Sequence, residues 1–290
     1  MKIKTILVPT DFSETADHAV AQGADLALRF DASLHLYHVV EFHHAEPAVV
    51  ATWGDFLDEL EQDAQVSLRQ KADVLRGNNI DVSYQTSRAF SPFEAIAGRA
   101  AELSPDLIVM GTHGRTGLSR LMMGSVAEKV LRHVPVNLLT LREKVPVVSA
   151  GHAFERILVP VDFSDFSKRA VEMAAQLLLP GGELSVAHVV ATAIHPSFYA
   201  GGITQVFQID TMLPRRIRER LEEWLGEQSV ANLVVREGEI HHELENVRKE
   251  VDAQLIVMGT RGNTGLDHLL LGSVTEKMIR SAETSVLTVH

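Results

Sequence analysis

Asp106-Leu-Ile-Val-Met-Gly111-Thr-His-Gly114-Arg-Thr-Gly117-Leu-Ser-Arg-Leu-Met-Met-Gly124-Ser125 decides the fold, because the chain writes it twice. The second version is Gln254-Leu-Ile-Val-Met-Gly259-Thr-Arg-Gly262-Asn-Thr-Gly265-Leu-Asp-His-Leu-Leu-Leu-Gly272-Ser273. Each is a short apolar run, then a glycine-rich loop, then a helical pattern opening Val-x-Glu-Lys, so the spacing predicts strand, loop and helix. Glycines let backbone N–H groups approach an anion, and a helix N-terminus adds unsatisfied donors and a partial positive charge. That is the chemistry of a phosphate cradle.

Working outward, Asp11 and Asp162 are offset by 151 residues and Gly124 and Gly272 by 148, which divides the chain into two homologous halves. We read residues 1–142 and 155–290 as domains and 143–154 as their linker, in keeping with a length of 290 residues. In the first half, residues 3–8, 33–40, 80–87, 105–110 and 136–141 read as strands. Ser13 reads as the cap of a first helix, and Ser91-Pro92-Phe-Glu94 as a capping box. Residues 43–53 read as irregular, 56–76 as a helix with a solvated charged face, and Ser125 with Glu128 as a second capping box. The second half repeats this order, with 191–213 irregular. Continuously apolar strands alternating with helices predict an α/β fold. It comprises two tandem doubly wound parallel five-stranded sheets with helices on both faces, Rossmann-like, with ligands at the carboxyl ends of the strands.

Composition excludes several functions. The sequence has no Cys, so disulfides, thiolate metal sites and a cysteine nucleophile are ruled out. A net charge of −11, with both halves acidic, argues against nucleic acid and anionic membrane as partners. The apolar run Thr5-Ile-Leu-Val-Pro9 stops at Asp11, short of a secretory core or a span, so we expect a cytoplasmic protein. Neither a Gly-x4-Gly-Lys-[Ser/Thr] loop nor a Ser-Gly-Gly-x-Asp-Ser loop is present. His35, His38, His43, His44, His241 and His242 read as surface or satisfied histidines rather than metal ligands, since neighbours on a strand point to opposite faces.

The spacing Gly-x2-Gly-x9-Gly-[Ser/Thr], met in full by both copies, resembles the ATP-binding motif of the universal stress protein family. Ile-Leu-Val-Pro-x-Asp-Phe-Ser at the first strand and His-Val-Val at the end of the second resemble it too, so the whole chain looks like a tandem member. The resemblance implies that Asp11 and Asp162, flanked by Pro9, Thr10, Pro160 and Val161, contact adenosine, and that backbone near Val39 and Val189 contacts adenine. Met110, Gly111, His113, Gly114, Gly124, Ser125 and Val126 would hold ribose and phosphates in the first half. Met258, Gly259, Arg261, Gly262, Gly272, Ser273 and Val274 would do so in the second. The implied ligand is ATP, with Mg2+ accompanying the triphosphate. The implied role is a stress response through nucleotide-dependent conformation or association. Pairing of the last strands within the chain and further homodimerisation are expected, with unknown protein partners.

The first half departs from the family pattern at Arg88-Ala-Phe90, where Gly238 supplies the usual glycine in the second half, and the last strand of the second half lacks the usual preceding Pro. Ser125 and Ser273 are readable as helix caps, a role compatible with donating to phosphate. Two other functions stay open: a nucleotide-independent interaction scaffold, and a nucleotide-hydrolysing or phosphoryl-transferring enzyme, for which no catalytic base is evident.

Overall fold

The computed structural model describes residues 2–42, 47–112, 123–142, 154–191, 212–262 and 271–290, with 47–53 as backbone alone. The first half runs β1 (Thr5–Pro9), α1 (Glu14–Phe30), β2 (Ser33–Glu41), α2 (Pro47–Gly77), β3 (Val82–Ala89), α3 (Pro92–Leu103), β4 (Leu107–Gly111), α4 (Ser125–His133) and β5 (Asn137–Leu141). The second runs β6 (Arg156–Pro160), α5 (Asp165–Leu177), β7 (Glu183–Ala191), α6 (Leu213–Leu225), β8 (Asn232–Gly238), α7 (Ile240–Glu250), β9 (Leu255–Gly259), α8 (Ser273–Ser281) and β10 (Ser285–Val289). In each half the five strands are parallel, and β1 or β6 lies beside both the strand after it and the strand ending in the glycine loop.

The two five-stranded sets join through β5 and β10, which pair antiparallel, giving one ten-stranded sheet ordered β3-β2-β1-β4-β5-β10-β9-β6-β7-β8. Both joining strands are buried along their whole length. Thr140 donates its hydroxyl to Val286 O at 3.0 Å and Thr288 donates to Leu138 O at 3.3 Å, so two buried hydroxyls are satisfied across the join.

Strand residues alternate between two apolar layers. Ile6, Val8, Leu107 and Val109 pack with α1, α2, α5 and α6. Leu7, Ile108 and Met110 pack on the opposite face with α3, α4, α7 and α8. Burial on both faces is why these strands lack a polar-out alternation.

Helix ends also bind the halves together. Arg29 on α1 donates to the C-terminal carbonyls of α5 at Gln176, Leu177 and Leu178, at 2.8, 2.5 and 2.6 Å. Arg142 does the same for Ile279 and Arg280 of α8. A cation at unsatisfied carbonyls satisfies them and complements the helix dipole. Between α4 and α8, Arg132 meets Glu276 at 2.5 Å and Arg280 meets Glu128 at 2.6 Å, a reciprocal pair of ion pairs.

Two sequence expectations change, and a third is not covered. Helix α2 begins at Pro47, inside the stretch read as irregular; proline suits a first helical turn, and the β-branched Val49 and Val50 that follow weaken helical propensity without forbidding it. Ser125 and Ser273 are not caps: each is the first helical residue, and Gly124 and Gly272 occupy the cap positions with no side-chain bond. The irregular reading of 191–213 lies outside the described residues over 192–211.

Candidate functional site

At the carboxyl ends of the strands in each half lies a cavity. The first, about 640 Å3, is lined by Pro9, Thr10 and Asp11 after β1, Val39 at the end of β2, Met110 and Gly111 at the end of β4, and Gly124, Ser125 and Val126 opening α4. The second, about 290 Å3, brings together Pro160, Val161, Asp162, Val189, Met258, Gly259, Arg261, Gly262, Gly272, Ser273 and Val274. His113 and Gly114 lie outside the described residues.

Each glycine loop is closed at its base by a backbone hydrogen bond. Gly124 N–H donates to Thr112 O at 2.6 Å, and Gly272 N–H donates to Thr260 O at 2.7 Å. Thr112 and Thr260 are themselves fixed, each donating N–H and hydroxyl to the last strand of its half, at Leu141 O and Val289 O. The loop therefore delivers the start of α4 or α8 to one defined place. Because the cap residue there is glycine, the first N–H groups of the helix are not covered by a capping side chain, and Ser125 and Ser273 sit exposed beside them. Such an end has donors and a partial positive charge to offer an anion, so the residues present fit a phosphate group.

Opposite the loop, Asp11 Oδ1 accepts from Ser13 N–H at 3.1 Å and from the Ser13 hydroxyl at 2.6 Å. Asp162 Oδ1 accepts from Ser164 N–H at 3.1 Å and from the Ser167 hydroxyl at 2.7 Å. One oxygen of each carboxylate thus builds the turn, the role its residue type favours. The other oxygen of Asp162 faces the loop: a Cβ on Gly262 would lie 2.3 Å from Oδ2.

The glycines divide by role. A Cβ on Gly111 would meet Thr15 Cγ2 at 2.7 Å, and one on Gly259 would meet Phe166 Cβ at 2.7 Å, so these two are required by the close approach of strand end and helix start. A Cβ on Gly272 would find nothing nearer than Thr260 O at 3.4 Å. The halves also differ where the sequence departs from the family pattern. Gly238 has φ +154°, and a Cβ there would reach 2.9 Å from Glu243 Cγ, whereas in the first half Arg88 is held by Asp58 and Glu61 of α2.

The family model of the universal stress protein family matches residues 2–142 and 153–290. The chain belongs to that family. A universal stress protein of Bacillus subtilis is 34% identical over 147 residues, covering 47% of the chain and 99% of the relative. One from Mycobacterium tuberculosis is 25% identical over 294 residues, covering 97% of the chain and 95% of the relative. The solved universal stress protein of Archaeoglobus fulgidus covers 100% of the chain and 99% of its own with a TM-score of 0.71 at 22% identity, a likeness of fold.

Two features of this universal stress protein escape its sequence. Phe12 and Phe163, directly after the site aspartates, have φ of +62° and +67°, a left-handed backbone that is uncommon for a bulky residue. Each is braced by a histidine ring, Phe12 on His38 at 4.5 Å and Phe163 on His188 at 5.0 Å between centroids. His38 Nδ1 in turn donates to Thr10 O at 2.7 Å, and His188 Nδ1 donates to Val161 O at 2.8 Å. The repeated His-Val-Val was the available signal. The resemblance assigns its backbone to adenine, and in the structure its histidines fix the turn carrying the aspartate. Among the described residues no group of three or more His, Asp and Glu is placed to hold a metal, and no helix is long and apolar enough to cross a membrane.

Proposed function

We propose that the protein binds an adenine nucleotide, ATP, in the cavities at the carboxyl ends of its strands, and that occupancy alters its conformation or its association with partners in a stress response. The observation that carries this reading is the glycine loop, closed at Thr112 or Thr260 and ending in a helix start without a capping side chain, opposite an oriented aspartate. Residues 1–142 and 155–290 would each form one nucleotide-binding unit. Backbone near Val39 and Val189 would meet the base, Asp11 and Asp162 the sugar, and the helix starts at Ser125 and Ser273 the phosphates. Mg2+ would arrive with the triphosphate, since magnesium is commonly held by few carboxylates together with substrate phosphates. A ligand shifts an equilibrium only through different affinities for two states, and the α4–α8 ion pairs connect the two phosphate-facing helices directly.

Thermal unfolding with ATP, AMP, GTP or no ligand tests the reading. At about a hundred times its dissociation constant a ligand stabilises by roughly 2.7 kcal/mol, a rise of a few degrees. A rise selective for adenine nucleotides is expected. No shift with any nucleotide at millimolar concentration would leave an interaction scaffold as the better account.

A further inference from the structure

The two cavities differ in charge at their mouths. The first is lined by Glu41 and Asp63, and α2 carries five acidic and no basic side chains between residues 54 and 68. The second is lined by Arg261, and α6 includes Arg215, Arg216, Arg218 and Arg220. Most described arginines of this chain are engaged by carboxylates or carbonyls; Arg220, stacked on Phe163, is not, and neither are Arg169 and Arg261. Their guanidinium carbons lie 4.4 and 5.7 Å from the ring centroid of Phe166, and they form no ion pair or hydrogen bond among the described residues. Asp165, four residues before Arg169, is the natural helical partner and is not used.

Two buried nitrogens beside them also lack partners, Arg261 Nε and His290 Nε2. Burial, with the two arginines nearby, pushes the His290 imidazole down to about 4, so the ring is neutral at pH 7. Unsatisfied buried polar atoms are uncommon in native structures, and two cations held close together repel. Cation–π attraction to Phe166 offsets only part of that cost. Each guanidinium carries five N–H donors, and none is given to an acceptor among the described residues. The first half differs at these positions: Thr15 and His18 stand where Phe166 and Arg169 do, with His18 Nδ1 buried and without a partner, Arg142, in the place of His290, is spent on α8 carbonyls, and His113, in the place of Arg261, lies outside the described residues.

We propose that Arg169 and Arg261, which share the Phe166 ring, together with His290 beside them, form an oxyanion site of the second half that takes a phosphate-type group. Phe166, Arg169 and His290 do not line the second cavity, so the site flanks the glycine loop rather than repeating it, and Arg261 is the residue common to both. The phosphate group comes either from a nucleotide held in that cavity, a case that rests on the function proposed above, or from a free oxyanion. Guanidinium groups suit either source, since they pair with phosphate through directed, charge-assisted hydrogen bonds.

Fluorescence of Trp224 gives a local readout. In a Trp53→Phe background it is the one remaining tryptophan, and it stands 6.0 Å, edge-on, from Phe163 beside the second cavity. Titrations with pyrophosphate, orthophosphate, ATP and adenosine would be compared among this background, Arg169→Gln and Arg261→Gln. Equilibrium dialysis with labelled orthophosphate would run in parallel, and circular dichroism would check the fold. Arg169 is exposed, so its substitution leaves the core untouched. The expected result is that pyrophosphate and ATP bind, that each substitution weakens both about tenfold or more, and that adenosine is unaffected. Oxyanion binding without nucleotide binding would support the site as one for free oxyanions while removing the nucleotide reading. ATP binding equally tight in all three proteins would leave that reading standing and overturn this one. So would the absence of any oxyanion binding by both methods.

Discussion

Gly111 and Gly272 belong to the same motif yet would respond differently to a methyl group. At Gly111 the added carbon meets Thr15 Cγ2 at 2.7 Å and the Thr15 backbone carbon at 3.2 Å. Gly111→Ala should therefore cost about 1–3 kcal/mol as an overpacked contact, visible as a lower urea midpoint with or without nucleotide. Gly272 has φ −73° and ψ 147°, open to any residue, and its nearest neighbour is an ordinary contact. Gly272→Ala should cost about 0.5–1 kcal/mol, from the poorer helix cap rather than from a clash, and should reduce the nucleotide-induced shift. Equal destabilisation of the two variants would show that the glycines are not divided as described. The sequence identified both residues, but only the distance to Thr15 separates a packing glycine from one beside a binding surface.

At the scale of the element, helix starts separate what a pattern encodes from what backbone geometry decides. Ser13, Ser91 and Ser164 accept N–H bonds from the first turns of α1, α3 and α5, and Ser13 and Ser91 were readable from spacing alone. Ser125, with Glu128 three residues on, has the same spacing and a different role, because the loop closure at Thr112 places Gly124 in the extended cap conformation. Ser13→Ala should then cost about 1 kcal/mol in chemical denaturation, while Ser125→Ala should cost much less and act on ligand affinity instead. A Ser125→Ala cost matching that of Ser13→Ala would restore the cap assignment. Helix α2 was read too short for a related reason: its first turns carry weak propensity, and tertiary context overrides a weak local preference.

For the whole molecule, the central fact is that neither five-stranded set has a free inner edge. β5 is buried at every position and hydrogen-bonded to β10, so residues 1–142 expressed alone would present a flat apolar edge to solvent. Unpaired edges of this kind recruit another strand. Such a fragment should self-associate in sedimentation, and a monodisperse monomer would show that the join contributes little. Within the sequence itself lay the α/β class, the repeat and the strand and loop motifs, because these follow from local periodicity and from glycine and proline chemistry, while the residues that face the cavities were implied by the resemblance those motifs carry. The pairing of β5 with β10 was expected from the family resemblance and is present as an antiparallel join, whereas tertiary structure alone decided the arginine caps between helices and the histidine braces behind the site aspartates. It also decided the unpaired Arg169–Arg261 cluster. Those bring together groups on different elements, for instance 28 residues apart for His38 and Thr10 and 149 for Arg29 and Leu178, or rest on the backbone conformation of single residues, and no local pattern in the chain encodes either.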